Sequence, residues 1–273
     1  MSRCFITDNK IMKTVSEQLA MFNEPDASKQ VLQYVNGGYS LCKEAQVKIF
    51  ELENYKELIK AYIRKFPLCD EVERALFDCK DVEDILEEYV QKYLLCDDVE
   101  QKMLVKRNAK ELVKLYAQKY SLNADAQVKM VQSKKMRGVL KEYINIRPLH
   151  WVAELTMLEQ EDAVEFLKGY IKKYPLQEET EVKMLELCRF EEFLQEYIKQ
   201  YPLCDLAQAS MFKLEGNDKL AMLYMAEGYV LCEQAQVQMV ESANSEVFLK
   251  MYTLLHYLCD EARLRQFELS KAK

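Results

Sequence analysis

Glycine and proline are scarce in this chain, with 6 and 5 among 273 residues. That excludes collagen-like and low-complexity classes and disfavours turn-rich β architectures. Tryptophan occurs once and histidine twice, which leaves little for histidine-based metal or triad chemistry. No window approaches the roughly 18 consecutive apolar residues of a membrane span. The opening Met1-Ser-Arg-Cys-Phe-Ile-Thr-Asp has no apolar core and no small-residue cleavage site, so a secretory signal is not expected. Nine cysteines are an odd number and none forms a Cys-x-x-Cys pair. Free thiols in a reducing cytoplasm are the simplest expectation. Phosphate-binding glycine loops, Gly-x-Ser-x-Gly and His-Glu-x-x-His are also missing, so no enzymatic activity and no cofactor are expected.

What is present is a ruler of 27 residues. Tyrosine recurs at Tyr34, Tyr62, Tyr89, Tyr116, Tyr143, Tyr170, Tyr197, Tyr224 and Tyr252. Leucine follows in frame from Leu41 to Leu258, and the next position is Cys42, Cys69, Cys96, Cys204, Cys232 or Cys259 in six copies. The other three copies carry Asn123, His150 and Gln177. Eight residues past the leucine stands a large apolar residue, from Ile49 and Leu76 through Met103, Met130, Met157, Met184 and Met211 to Met239. Self-similarity at such a period marks stacked supersecondary units.

Each unit reads as two short helices. In the first, Phe166, Leu167, Tyr170, Ile171 and Tyr174 share one helical face. Pro67, Pro148, Pro175 and Pro202 sit at one repeat position and are expected to end that helix. Copies one and eight carry Gly38 and Gly228 there, suited to a left-handed C-terminus. Asp70-x-x-Glu73 and Asp97-x-x-Glu100 predict capping boxes for the second helix. Neither helix would be stable alone, so the units must stack into an α-solenoid. The expected organisation is a leading cap over 1–27, nine repeats over 28–270 and a tail over 271–273. The expected fold is an all-α, right-handed superhelix of two-helix repeats. The chain resembles the HEAT-like and armadillo-like solenoids in a short-repeat version over about residues 28–270. The resemblance implies protein binding, or in some members nucleic-acid binding.

Repeat columns also assign structural roles. Stacked repeats place equivalent Cα atoms about 9–10 Å apart, too far for disulfides or a shared zinc. The cysteines therefore read as small packing residues and the methionines as core. The tyrosines read as half-buried, with hydroxyls reaching solvent or a neighbouring turn. The column Gln46, Glu73, Glu100, Gln127, Glu154, Glu181, Gln208, Gln236 reads as an outward polar ladder, alongside Lys48, Lys102, Lys129, Lys183 and Gln238.

Net charge is −7, but it is unevenly spread. Residues 1–100 carry 13 basic and 20 acidic side chains, 101–147 carry 12 and 3, and 148–273 carry 13 and 22. Lys106, Arg107 and Lys110 fall at one inter-repeat turn, and Lys134, Lys135 and Arg137 at the equivalent turn one repeat later. Near them Arg147 replaces the second aromatic, His150 replaces cysteine and Trp151 replaces an acidic residue. Broken rules often mark functional sites. These nine residues are the predicted partner-binding edge, facing an acidic protein surface. Local phosphate binding to nucleic acid and self-assembly through opposite charges are the alternatives. No membrane contact and no metal site are expected.

Overall fold

The computed structural model describes residues 12–272, so the opening eight residues read above and the first cysteine lie outside it. Among the described residues the structure is all-α, with nineteen α-helices, four short 3-10 turns and no strand. Among the described residues no helix is long and apolar enough to cross a membrane. The chain forms two compact units, divided within α9 (Ala124–Gln132). Gln127–Arg137 belongs with the second unit and Gly138–Arg147 with the first.

The first unit contains α1 (Val15–Ala20), α2 (Ala27–Asn36), α3 (Lys43–Lys48), α4 (Tyr55–Ile63), α5 (Asp70–Asp78), α6 (Glu83–Val90), α7 (Asp97–Met103), α8 (Ala109–Ala117) and most of α10 (Arg137–Ile144). Its helices pack in two rows: α2, α4, α6, α8 in sequence, and α1, α3, α5, α7 in sequence. The second unit contains α11 (Trp151–Leu158), α12 (Ala163–Tyr170), α13 (Glu178–Leu185), α14 (Glu191–Tyr197), α15 (Asp205–Lys213), α16 (Asp218–Ala226), α17 (Glu233–Glu241), α18 (Ser245–Tyr252) and α19 (Asp260–Ala272). There α11, α13, α15, α17 and α19 pack in sequence, as do α14, α16 and α18. Packing of every second helix is the α-solenoid arrangement.

The apolar columns are the core. Ile49, Leu76, Met103, Met130, Met157, Met184, Met211 and Met239 are all buried. The ladder tyrosines are buried too, rather than half-buried as their amphipathic character suggested. Their hydroxyls do reach a neighbouring turn. The N–H groups of Leu68, Leu95, Leu149, Leu176 and Leu231 donate to Tyr89, Tyr116, Tyr170, Tyr197 and Tyr252 at 3.0–3.4 Å. The oxygen is therefore satisfied inside the protein and the ring can be fully enclosed.

The Gln/Glu column is the largest departure from the sequence expectation. It is buried, not outward. In the first unit Gln18, Gln46, Glu73 and Glu100 accept the backbone N–H of Cys42, Cys69, Cys96 and Asn123 of the following repeat. In the second unit Gln127, Glu154, Glu181, Gln208 and Gln236 accept from His150, Gln177, Cys204, Cys232 and Cys259. The remaining side-chain atom follows from chemistry. An amide can donate, and Gln46, Gln208 and Gln236 donate to the carbonyls of Leu41, Leu203 and Leu231 at 2.8–3.0 Å. A carboxylate cannot donate, and Glu100, Glu154 and Glu181 instead accept the hydroxyls of Tyr116, Tyr170 and Tyr197 at 2.6–2.8 Å. Each repeat is thus tied to the next by a polar seam as well as by packing.

The seam also corrects the capping reading. The helix start is the cysteine column: Cys69 and Cys96 are the N-caps, while Asp70 and Asp97 are already helical. Glu73 and Glu100 do not turn back to a cap because their carboxyls are committed to the next repeat. At this position Asn123 Oδ1 accepts from Ala126 N–H at 2.8 Å, and Cys204 Sγ and Cys232 Sγ accept from Ala207 and Ala235 at 3.4 Å. Burial raises the thiols of Cys96 and Cys204 to about 12, so they stay protonated in these caps. A capping box does exist, at Thr14 and Glu17. There the Thr14 N–H, equivalent to that of Cys42, donates to Glu17 at 2.7 Å. In the last repeat the seam position is Arg263, which has no acceptor to offer and lies exposed.

The prolines act later than expected. Helices α4, α10, α12 and α14 stop four or five residues before Pro67, Pro148, Pro175 and Pro202. Copies with Leu94 or Ser121 at that position stop in the same place, so the stop is set by the tyrosine carbonyl. In these copies the N–H four residues on returns to that carbonyl, as Tyr93 does to Tyr89 at 3.1 Å. Gly38 and Gly228 adopt φ of +92° and +82°, the left-handed turn expected of the longer copies.

Candidate functional site

The nine predicted edge residues divide between the units. Lys106, Arg107, Lys110 and Arg147 lie in the first, and Lys134, Lys135, Arg137, His150 and Trp151 in the second. Most of the cations are already engaged. Lys106 donates to the Cys79 carbonyl at 3.1 Å, and Lys110 pairs with Glu142 at 2.9 Å. Arg147 donates to the carbonyls of Ala117 and Gln118 at 2.7 and 3.2 Å, at the C-terminus of α8. Tyr93, Tyr120 and Tyr201 make the equivalent contact in other repeats, to the carbonyls of Ile63, Lys92 and Ile171. Arg147 is therefore a substitute for the second aromatic in its packing role.

In the second unit Arg137 is mostly buried. It pairs with Asp162 at 2.6 Å and lies 5.9 Å from the Phe166 ring centroid. Lys134 pairs with Glu161 at 3.0 Å in solvent. Arg107 and Lys135 are exposed and have no ion-pair partner among the described residues. His150 is an N-cap, its Nδ1 accepting from Val152 N–H. Trp151 opens α11, lies 41% exposed and sits 5.7 Å from the His150 ring.

A second feature lies on the same helix row of the second unit and was missed from the sequence. One turn along α11 from Trp151, a groove of about 360 Å³ runs across α11, α13 and α15. Leu155, Val182 and Leu206 form its apolar floor, and Glu178, Glu179 and Glu186 its rim. Lys183 also lines it, paired with Glu186 at 2.7 Å. The first unit has the same positions, but there Arg74 bonds Asp98 at 2.6 Å from α5 to α7. Leu155 and Glu179 are the counterparts of that pair, at the same 24-residue separation. Replacing Arg by Leu opens the surface and leaves the acid without its cation. Glu186 likewise lacks an inter-repeat cation and pairs instead with Lys183, three residues before it. Its counterparts Asp78 and Glu241 pair with Lys102 and Arg265, whereas the matching residue for Glu186 is Ser210. The signal was present as the 24-residue spacing of Arg74 and Asp98, whose positions carry Leu155 and Glu179 here and Val47 and Glu71 earlier in the chain.

Among the described residues no group of His, Cys, Asp and Glu converges as metal ligands would. No protein-family model matches the chain, and no curated protein or solved structure matches it either.

Proposed function

We propose that the chain is a non-catalytic protein-binding scaffold of the short-repeat, HEAT-like or armadillo-like kind. The observation that carries this reading is Trp151, the only tryptophan of the chain, held 41% exposed on the first turn of α11. Tryptophan is enriched among the residues that anchor protein interfaces. Around it the inward columns are consumed in core and seam, so the outward positions are free to serve a partner. Arg107 and Lys135 supply contacts to acidic groups, each within its own unit. The seven described free cysteines suit a reducing compartment such as the cytoplasm.

The test is capture from the native cell. Trp151→Ala should lose the proteins recovered by the unmutated chain while keeping its far-ultraviolet dichroism and melting temperature. Recovery of the same proteins at the same yield overturns the reading. Titration with labelled DNA and RNA at about 50 and 200 mM salt adds a second outcome. Tight binding that collapses over that range would replace a protein partner with a phosphate backbone.

A further inference from the structure

We infer that the α11–α13–α15 groove binds a basic amphipathic segment of a partner protein; the inference rests on the scaffold reading and names the chemistry of the partner. Charge and shape agree on the occupant. The floor of Leu155, Val182 and Leu206 asks for an apolar side chain, and Leu206 is 54% exposed. Glu178 and Glu179 have no ion-pair partner among the described residues, and Asp205 beside Leu206 has none either.

The first unit shows what is missing. There Arg74 reaches forward to Asp98 of the next repeat and Lys102 back to Asp78 of the preceding one, at 2.6 Å in both cases. At the groove the positions opposite Glu179 and Glu186 in the neighbouring repeats are Leu155 and Ser210, while Lys183 stands where Lys102 does in the register of Leu155. A segment that sets an apolar residue on the floor and a Lys or Arg on either side gives Glu179 the cation it lacks and Glu186 a second one beside Lys183. It does so in trans, where the first unit does so in cis. An acidic segment would bring like charges onto the rim, and a wholly polar one would leave the floor wet.

The probe is a synthetic fourteen-residue amphipathic peptide of leucine and lysine, titrated into the full chain. Trp151 reports binding directly because no other tryptophan contributes. Saturable change in its emission is expected, and none with the matching leucine/glutamate peptide. Leu155→Arg rebuilds the first unit's ion pair, so it should weaken the leucine/lysine peptide at least tenfold with a melting temperature no lower than the parent's. Glu178→Lys combined with Glu179→Lys should do the same.

Equal binding to the Leu155→Arg chain overturns the groove assignment, as does an absence of saturable binding. A concentration-dependent dimer that Leu155→Arg dissociates overturns the separate partner and makes a second copy the occupant. If the peptide fails while Trp151→Ala still loses captured proteins, the partner chemistry falls and the scaffold reading stands.

Discussion

The two units are built alike inside and differ outside. In both, a buried tyrosine takes a leucine N–H and a Gln or Glu takes the next N–H of the following repeat. On the outer face of the second-helix row the first unit places the Arg74–Asp98 pair at the positions where the second has Leu155 and an unpaired Glu179. The contrast separates two kinds of constraint. Seam residues satisfy backbone groups that every repeat must bury, so their chemistry cannot vary. Outer positions satisfy nothing that the fold requires, so the chain can spend them on a partner.

The largest expected effects test the shared interior. Tyr116→Ala in the first unit and Tyr170→Ala in the second each empty a fully enclosed aromatic site. Each should cost about 3–5 kcal/mol in urea unfolding. The phenylalanine variants keep the ring but leave the N–H of Leu95 or Leu149, and one oxygen of Glu100 or Glu154, short of a partner. Each of these should cost about 1–3 kcal/mol. A cost confined to one unit would break the equivalence of the two interiors.

An intermediate effect sharpens the comparison within the seam. Burial raises the carboxyls of Glu73, Glu100, Glu154 and Glu181, against the pull of the backbone N–H each accepts. Glu100, Glu154 and Glu181 also accept a tyrosine hydroxyl, which holds the charged form. Glu73 accepts the Cys96 N–H at 3.3 Å and rises to about 7, with Asp70 and Asp98 adding repulsion. A carboxyl whose folded pKa lies above its unfolded value, roughly 4.3, binds its proton more tightly in the folded state. Its contribution therefore favours folding at low pH and is lost as pH rises from about 4.3 to about 7. Glu73→Gln matches Gln46 one repeat earlier and should remove that loss. Stability at pH 8 should rise by about 1–3 kcal/mol, with little change at pH 4. A variant less stable than the parent at pH 8 would show that the charge is needed there.

Much of this architecture was legible because periodicity is a direct image of packing. The tyrosine and methionine columns are the core, and their spacing alone gave the two-helix unit. The polar columns were legible as columns but not as roles. Gln18, Gln46 and Glu73 onward never admit Lys, Ser or Thr before Arg263, a restriction that a solvent-facing surface does not impose. Periodicity places such a residue on a helix but does not say which backbone group it meets, since its acceptor duty depends on a partner 23 or 24 residues away. The capping column was hidden by cysteine, a weak acceptor not expected at an N-cap, although Asn123 in the same column is among the best. Of the predicted edge, Trp151 is 41% exposed. Arg137 and Arg147 read as exposed cations because their partners, Asp162 and the carbonyls of Ala117 and Gln118, lie 25 to 30 residues away.

The smallest expected stability effect is the exchange of the outer pair itself. Arg74→Leu in the first unit removes an ion pair whose side chains are 43% and 50% exposed. Leu155→Arg in the second creates its counterpart. Exposed pairs contribute about 0.2–1 kcal/mol, so the first change should lower stability, and the second raise it, by no more than that. The two shifts should shrink together on adding about 1 M salt, where the screening length falls to roughly 3 Å. A loss well above 1 kcal/mol for Arg74→Leu would mean that this pair fastens the repeats as the seam does. The outer face would then be under structural constraint, and the open groove in the second unit would have a stability cost that its burial pattern does not show. A shift within the expected range leaves the outer face free of the fold, which is the condition for a surface given over to a partner.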